Sequence, residues 1–152
     1  MTKIREYRAG DEARIWEILG SALAIYGLVA QPDSTDQDLL NIPVNYLASG
    51  GSFRVLELDE GLIGTYGLHN EGNGVAELRK MYLDPAYKGR GLGKLLLEDA
   101  LATARGLGFR TIILESNSNL VEAAALYRKF GFVDMLREHM ASRCDYALQL
   151  DL

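Results

Sequence analysis

Cysteine is almost absent from this sequence, with Cys144 the only one among 152 residues. A single cysteine cannot form a disulfide within the chain, and no spacing of Cys and His is typical of a zinc site. No histidine is obviously paired with Cys144, so we interpret it as a small buried residue and not as a nucleophile. The scarcity of cysteine excludes a disulfide framework, and we expect no metal.

Positive charge and long hydrophobic runs are also lacking. The formal net charge is -5, whereas a general nucleic-acid binder normally carries a basic excess. The longest uncharged apolar stretch, Ser21 to Ala30, is far shorter than the ~20 residues that a membrane span needs. The charged start, MTKIREYRAGDE, does not resemble a secretory signal. We therefore predict a soluble cytoplasmic protein without nucleic-acid or membrane partners.

Apolar residues, in contrast, are plentiful and regularly spaced. Hydrophobic residues make up 48% of the chain and charged residues 24%, which is typical of a soluble globular domain. A domain of this length buries roughly two-thirds of its unfolded surface. Because no repeat, linker or low-complexity tract interrupts the chain, we predict a single domain over residues 1–152.

Apolar periodicity predicts an α/β fold in which a mixed sheet is flanked by helices. The predicted strands are 4–8, 53–58, 62–69, 75–83, 111–115, 132–137 and 142–150, and the second and third of them form a hairpin. Four helices are predicted. The first covers residues 10–23, and the second follows the capping residues Asp33 to Thr35 and runs through Leu47. The third is a long helix that follows three glycines and ends at about residue 107, and the fourth covers residues 119–130.

The strand at residues 75–83 breaks its own alternation. Ala76 and Leu78 are apolar at even positions, whereas Met81 and Leu83 are apolar at odd ones. A strand has period two, so its apolar face continues only if one extra residue is inserted near Arg79–Lys80. We therefore predict a β-bulge that separates this strand from its neighbour and frees backbone groups to bind a ligand. A strand buried on both faces with a frayed middle remains the alternative.

Three glycines at alternate positions precede the long helix, in the segment YKGRGLGK (residues 87–94). Glycine loses more conformational freedom than any other residue on ordering, so its repetition here indicates a close approach to the backbone. The N–H groups at a helix N-terminus converge on anions, and three cationic side chains surround the glycines. The segment therefore predicts an anion site, with a helix entry that binds nothing as the alternative.

Known phosphate loops fit this spacing poorly. A Walker P-loop requires a glycine where Lys88 stands and a Ser or Thr where Leu95 stands. The dinucleotide fingerprint would place its third glycine one residue later than Gly93, although Glu115 lies about where a ribose-binding acid would be. The dinucleotide interpretation therefore stays open only as a minor alternative.

Two segments resemble the core of the GNAT superfamily of acyl-CoA N-acyltransferases. In DPAYKGRGLGKLLL (residues 84–97), the family signature Gln/Arg-x-x-Gly-x-Gly/Ala is similar to the pattern at Lys88, Gly91 and Gly93. Lys88 departs from Gln or Arg but keeps a hydrogen-bond donor. Behind the strand TIILES (residues 111–116), ALYRKFGF (residues 125–132) is similar to the family's Leu-Tyr-x-x-x-Gly-Phe segment. The likeness is strong over residues 75–132, while the first 70 residues match only in their order of elements.

The resemblance implies the GNAT fold, a mostly antiparallel sheet with a bulged, splayed strand pair, and acetyl-CoA as the cosubstrate. In this family the glycine loop holds the pyrophosphate, and the pantetheine arm enters the gap beside the bulge. The family's asparagine after the buried strand corresponds to Asn117 or Asn119, of which we choose Asn119 because it is closer to the helix. The implied cofactor-binding residues are Met81, Leu83, Lys88, Gly89, Arg90, Gly91, Leu92, Gly93, Lys94, Asn119 and Tyr127.

The resemblance also implies direct transfer of the acetyl group to an amine, with no covalent enzyme intermediate. A lysine-like amine has a pKa near ~10.4, so a base must accept its proton. Glu77 lies just upstream of the bulge, where family bases are often found, although a glutamate that is salt-bridged to Arg79 is the alternative. Tyr127 is at the position of the family's general acid, which protonates the departing thiolate; a packed helix aromatic is the alternative.

The acceptor is expected between the first two helices, the strand ends and the last hairpin. Acidic residues in the first region suit a cationic amine and arginines in the last region suit a carboxylate, so we predict a small amine or amino-acid-like acceptor. Candidate substrate-binding residues are Tyr26, Glu77, Arg137 and His139, with Asp33, Asp36, Asp38 and Arg143 as further candidates or solvated charges. A protein N-terminus or lysine is the second choice, and a non-catalytic acyl-CoA sensor is another alternative. Because GNAT proteins are often dimers, a homodimer is also an open expectation.

Overall fold

Seven strands and three α-helices are present in the computed structural model, which describes residues 1–152. The strands are β1 (Thr2–Glu6), β2 (Ser52–Leu58), β3 (Gly61–Gly72), β4 (Val75–Leu83), β5 (Thr111–Ser116), β6 (Val133–Met135) and β7 (Tyr146–Asp151). The α-helices are α1 (Glu12–Ala24), α2 (Leu92–Gly106) and α3 (Val121–Lys129). None of the helices combines the length and the apolar composition that crossing a membrane requires.

The predicted second helix is wrong in form. The chain instead has a 3₁₀ segment at Gln37–Asn41 and a single π-type segment at Pro43–Leu47. Pro43 begins the latter, because proline lacks an N–H group and is tolerated only in the first turn of a helix. The ring of Tyr46 packs against β3 at Gly67, where a Cβ would lie only 2.6 Å from Cε1 of the ring.

The strands form one sheet in the order β1-β2-β3-β4-β5-β7-β6. Every neighbouring pair is antiparallel except β4 and β5, which run parallel. The parallel pairing covers only Val75–Glu77 against Thr111–Ile113, so the rest of β4 separates from β5. The predicted mixed, mostly antiparallel sheet with a splayed strand pair is confirmed.

The predicted bulge is confirmed as well. Thr65 of β3 lies opposite Tyr82 and Gly67 lies opposite Arg79, so β4 carries one residue more than β3 between these pairs. Lys80 accommodates the extra residue in a left-handed conformation, with φ at 55°. As the sequence required, Leu78 before the bulge and Met81 after it pack into the same apolar cluster.

Apolar clusters lie on both faces of the sheet. The larger one joins the sheet to α2 and includes the buried side chains of Leu96, Leu97 and Leu101. The smaller one joins the opposite face to α1 and to the 37–47 segment through Leu19, Leu39 and Tyr46, among others. Fully burying a leucine contributes roughly 1.5–3 kcal/mol, so the two clusters hold the helices on either side of the splayed strands.

The last two strands are shorter than predicted. Observed β6 ends at Met135 and β7 begins at Tyr146, so the chain between them is a loop. That loop carries Arg137, His139 and Arg143 to the gap between β4 and β5.

Candidate active site

A cavity of about 820 Å³ opens where β4 and β5 separate. Its walls come from the end of α1, residues 34–45, the bulged part of β4, the end of β5, the segment before α3, Tyr127 of α3 and the loop before β7. The cavity therefore lies between segments that are far apart in the sequence, and both apolar and charged side chains face it.

The glycine loop at the end of β4 has the geometry of an anion site. Gly89 and Gly91 have φ values of 79° and 75°, a left-handed conformation that favours glycine. At both positions a Cβ would extend into open space, whereas a Cβ at Gly93 would make an ordinary 3.7 Å contact with Leu126. Gly91 is the N-cap of α2, so the first N–H groups of that helix have no carbonyl of the helix to bind. Unpaired N–H groups at a helix N-terminus can bind an anion, and the open space at Gly89 and Gly91 leaves room for one.

The cationic side chains around the loop differ in their surroundings. The ammonium of Lys88 donates to the hydroxyl of Tyr26 (2.7 Å), which donates to Glu122 (2.8 Å). The hydrogen bond to Tyr26 raises the pKa of Lys88 above its usual range. Arg90 stacks over the ring of Tyr87 at 5.2 Å, and Lys94 is exposed.

Tyr26 does not reach the acceptor region predicted for it. It lies two residues beyond the end of α1, where its hydroxyl joins α1 to the glycine loop and to α3, outside the lining of the cavity. The sequence did not show this position, because the direction of the side chain depends on how the chain turns after Ala24.

Two N–H groups of β4 point into the gap. The hydroxyl of Thr65 donates to the carbonyl of Lys80 (2.7 Å) on the β3 side, and all peptide bonds are trans. Because C=O and N–H point in opposite directions across a trans peptide, the N–H of Met81 faces away from β3. The N–H of Asp84 donates to Ile63 of β3 (2.7 Å), so the preceding N–H, that of Leu83, faces the gap by strand alternation.

Glu77 lies in the cavity wall with both carboxylate oxygens occupied. Its side chain is only 7% exposed and accepts hydrogen bonds from Arg79 and from Arg137. Arg137 also pairs with Glu115 (2.9 Å) and Glu71 (3.2 Å). Burial acts to lower the pKa of Arg137, but the hydrogen bond and charge of Glu77 outweigh it, and the pKa is raised. Both oxygens of the Glu77 carboxylate are therefore engaged by guanidinium groups.

Tyr127 lines the cavity from α3 and is buried. Burial raises the pKa of its hydroxyl well above the usual range, and the neighbouring Tyr82 and Tyr146 raise it further. No protein group hydrogen-bonds to this hydroxyl. Tyr127 is therefore a neutral phenol at physiological pH, and its proton is available to donate.

Of the two candidate asparagines, the structure brings Asn117 to the cavity. Asn117 lines the wall, and its amide donates to the carbonyl of Arg143 (2.8 Å). Its side-chain oxygen accepts the N–H of Asn119 (2.8 Å), whose own side chain is exposed. The side chain of Asn117 thus caps the turn before α3, whereas Asn119 lies outside the lining of the cavity.

A buried ion-pair network was missed by sequence reasoning. Asp36 is fully buried and binds the guanidinium of Arg143 through both oxygens, at 2.6 and 2.8 Å. Lys80, also buried, lies 3.1 Å from Asp36 and 3.2 Å from Asp38. Burial acts to raise the pKa of Asp36, but these cationic partners hold it below its usual value. Solvated charge is thus wrong for Asp36 and Arg143, and the only signal in the sequence was a lysine at the bulge.

The remaining candidates of the last loop reach the cavity without ion pairs. His139 lines the wall and is exposed. Cys144 also lines the cavity, where burial and the charge of Glu115 raise the pKa of its thiol to about 11. The thiol is therefore protonated at neutral pH, when a cysteine nucleophile would need to be a thiolate.

Comparison with known proteins shows the class of this enzyme. The acetyltransferase (GNAT) family model matches residues 14–132. The N-acetyltransferase YjgM of Escherichia coli K12 is 34% identical over 150 residues, which cover 95% of this chain and 84% of that protein. The crystal structure of a GNAT-family acetyltransferase from Staphylococcus aureus Mu50 superimposes with a TM-score of 0.92 at 24% identity, covering 99% of both chains. The PaiA N-acetyltransferase of Thermoplasma acidophilum in complex with coenzyme A has a TM-score of 0.80 at 20% identity, covering 100% of this chain and 99% of that one.

The chain therefore belongs to the GNAT acetyltransferase family. It is an N-acetyltransferase that uses acetyl-CoA. The predicted family, fold and enzyme class are confirmed, whereas the roles of the individual site residues remain predictions.

Proposed function

We propose that residues 1–152 act as one domain that transfers the acetyl group of acetyl-CoA to the primary amine of a small molecule, with an amino-acid-like acceptor favoured. The observation that carries this proposal is the mixture of charges in the cavity beside the bulge. Asp38, Glu77 and Glu115 face it together with Arg79 and Arg137. Carboxylates attract an ammonium group and guanidinium groups bind a carboxylate, often through two parallel hydrogen bonds.

One of these side chains retains hydrogen-bonding capacity. A guanidinium has five N–H donors, and Arg137 directs NH1 and NH2 at its three glutamates while its Nε has no partner. On the opposite side, Oδ1 of Asp38 is buried 3.2 Å from the ammonium of Lys80. The free donor of Arg137 suits the carboxylate of an amino acid, and the carboxylates of the cavity suit its ammonium.

A relative with a stated product supports this acceptor class. The N-acetylaspartate synthetase of Xenopus tropicalis is 30% identical over 115 residues, which cover 73% of this chain and 42% of that protein. The chain thus matches less than half of that relative, whose name states an acetylated amino acid as its product. A carboxylate-bearing acceptor is consistent with both the name and the arginines of the cavity.

The glycine loop and the gap between β4 and β5 fit the parts of acetyl-CoA. We assign the pyrophosphate to the N–H groups at the start of α2, with Lys88, Arg90 and Lys94 supplying positive charge around it. The amides of the pantetheine arm are assigned to the backbone of Met81 and Leu83, and Asn117 takes the role first given to Asn119. Fixed backbone donors in a partly enclosed cavity stabilise the oxyanion that forms when an amine attacks the thioester.

Two side chains handle the protons in this proposal. The amine nitrogen bonds to the thioester carbon, the C–S bond breaks, and the hydroxyl of Tyr127 gives its proton to the sulfur. The amine's proton passes through a water molecule to Glu77, because both oxygens of that carboxylate already accept from arginines. His139 and Arg137 are left to bind the acceptor.

A turnover screen with acetyl-CoA tests the proposed function. The panel contains L-amino acids, amines of the same length without a carboxylate, diamines and short peptides, and thiol release and acetylated product are both measured. We expect the highest kcat/KM for primary amines that carry a carboxylate, and Arg137→Gln should raise their KM more than that of the matched simple amines. Turnover of peptides alone would indicate a protein acetyltransferase, and acetyl-CoA binding without turnover of any amine would indicate a sensor.

A further inference from the structure

The peptide between Lys80 and Met81 is held in an unusual conformation. Lys80 has φ at 55°, and the other non-glycine residues with positive φ, Asp59, Glu60 and Asn73, lie in hairpin turns. A side chain with a Cβ rarely adopts this conformation within a strand. When such an outlier persists, the surrounding contacts must over-determine it.

The first of these contacts fixes the carbonyl of the peptide. Thr65 is buried, and its hydroxyl donates to the carbonyl oxygen of Lys80 at 2.7 Å. Because the peptide is planar and trans, a carbonyl directed at β3 sends the N–H of Met81 into the gap between β4 and β5. Thr65 therefore sets the direction of a backbone donor that it does not touch.

The second contact fixes the side chain of Lys80. Its ammonium donates to the carbonyl of Thr35 (2.9 Å) and lies 3.1 and 3.2 Å from the carboxylates of Asp36 and Asp38. Asp36 is held in turn by both terminal nitrogens of Arg143. The bulge is thus tied to both walls of the acceptor region by groups that are almost entirely buried.

We propose that Thr65 and Lys80 are positioning residues for acetyl transfer, which keep the N–H of Met81 aimed at the carbonyl oxygen of the bound thioester. The proposal rests on the placement of the acetyl group at the bulge in the proposed function. Neither residue touches the reacting atoms in this role. They act by preventing the Lys80–Met81 peptide from rotating when the oxyanion forms.

The left-handed conformation makes the proposal distinguishable from simple packing. In Lys80→Met the side-chain volume remains but the ion pairs are lost, so the residue relaxes to negative φ and the N–H turns away. In Lys80→Gly the volume is lost, yet glycine tolerates positive φ and the hydrogen bond from Thr65 remains. If Lys80 positions the peptide, Lys80→Gly should have a higher kcat than Lys80→Met. If Lys80 only fills space, Lys80→Met should have the higher kcat.

Thr65 offers an independent matched pair. Thr65→Val keeps the shape of the side chain and removes the donor, while Thr65→Ser keeps the donor and removes a methyl group. If Thr65 positions the peptide, Thr65→Ser should have nearly the kcat of the wild type, and Thr65→Val should lose activity as Lys80→Met does. Folding of all four variants is verified by thermal unfolding, and the assays run well below each melting temperature.

The readout is the carbonyl stretching frequency of acetyl-CoA labelled with ¹³C at the carbonyl, measured free and bound, together with kcat for the most active amine of the screen. A hydrogen bond from Met81 lowers this frequency in the bound wild type. We expect the lowering to persist in Lys80→Gly and Thr65→Ser and to disappear in Lys80→Met and Thr65→Val. In the latter two, kcat should fall at least tenfold while the Kd of acetyl-CoA changes less than threefold.

Any of three outcomes overturns the proposal. The first is a wild type that acetylates an amine without lowering the carbonyl frequency. The second is a Lys80→Met variant at least as active as Lys80→Gly, and the third is a Thr65→Val variant with the frequency and kcat of the wild type. Failure of the proposed function is recognised separately. In that case the frequency is lowered on binding, but no amine is acetylated by the wild type.

Discussion

The two sides of the cavity are built differently. The side assigned to acetyl-CoA, the cofactor side, consists of residues 81–94 and 117–127, where backbone N–H groups are available at the bulge and at the start of α2. The side assigned to the acceptor, the acceptor side, consists of residues 34–45 and 137–144, where side chains line the cavity, among them the charged Asp38, Arg137 and Arg143. Its central pair, Asp36 and Arg143, joins residues 107 positions apart.

This difference explains how each side recognises its ligand. Backbone donors cannot be changed by substitution, so the cofactor side keeps its chemistry as long as its glycines and its bulge keep their geometry. The acceptor side depends on which ionic side chains meet and on what each one leaves unpaired. We therefore expect substitutions on the acceptor side to change stability and selectivity, and those on the cofactor side to change acetyl-CoA affinity and rate.

The largest expected effect is on stability and comes from the acceptor side. Asp36→Ala leaves Arg143 and Lys80 buried without their common partner, and breaking a buried ion pair in this way lowers the free energy of unfolding by about 3–5 kcal/mol. Asp134→Ala, which removes the exposed pair with Arg128, is the control and should be close to neutral. Denaturant unfolding at neutral pH measures both variants. Equal stability of the two variants would show that the buried network does not hold the acceptor side.

The same network gives stability a pH dependence. The pKa of Asp36 is lowered in the folded protein, so its contribution is present above the unfolded value of about 3.9 and is lost as the pH falls through the lower folded value. Stability of the wild type should therefore decrease below about pH 4 more steeply than that of Asp36→Ala. Unfolding curves between pH 2 and 6 measure the difference, and parallel curves would contradict it.

Glu77 tests the boundary between the two sides. If Glu77 accepts the amine's proton through water, Glu77→Gln should lower kcat by roughly 10²-fold or more and leave acetyl-CoA affinity almost unchanged. Glu71→Gln is a matched control, because Glu71 pairs with the same two arginines and lies outside the lining of the cavity. Similar losses in both variants would mean that these glutamates only orient Arg79 and Arg137.

Tyr127 tests whether the cofactor side contributes a side chain to catalysis. Tyr127→Phe removes the hydroxyl assigned to protonate the sulfur and keeps the ring packed against Phe132, so kcat at pH 7 should fall by about 10²-fold with little change in KM for acetyl-CoA. If expulsion of the thiolate limits the rate, the deficit should shrink as the pH rises past the thiol pKa of about 8.5. A pH–rate profile measures this. Full kcat in the variant would assign Tyr127 to packing.

Gly91 tests the glycine loop. In Gly91→Val a branched side chain enters the space assigned to the pyrophosphate, and we expect acetyl-CoA affinity to fall at least tenfold by calorimetry. Gly72→Val controls for backbone strain, since Gly72 also has positive φ and open space around its Cβ position. Both variants should lose stability by similar amounts, but only Gly91→Val should lose affinity. Unchanged affinity would return the glycines to a purely structural role.

The smallest expected effect distinguishes Asn117 from Asn119. Asn117→Ala removes an amide from the cavity wall together with its bond to the carbonyl of Arg143, so KM for acetyl-CoA should rise several-fold. Asn119→Ala changes an exposed side chain and should stay within twofold of the wild type. Steady-state kinetics with varied acetyl-CoA give the comparison. A larger rise of KM in Asn119→Ala than in Asn117→Ala would instead favour Asn119, the residue chosen from the sequence.

Local spacing in the sequence was sufficient to predict most of the cofactor side. The shift of apolar residues from even to odd positions in β4 predicted the bulge, and the structure places it at Lys80. The bounds of β4 were correct to the residue, and those of α2 were nearly so. These features were predictable because period, glycine conformation and helix entry are properties of neighbouring residues.

The acceptor side was decided by tertiary structure. Pro43 divided the predicted second helix into two short segments, and the early end of β6 turned Arg137 from a strand residue into a loop residue that reaches Glu77. The ion pair between Asp36 and Arg143 forms because α1, β4 and the last loop meet at the splayed strands. A charged residue in the sequence shows only that it needs a partner or water. Which of the two it finds depends on residues far away in the chain, and only the folded protein brings them together.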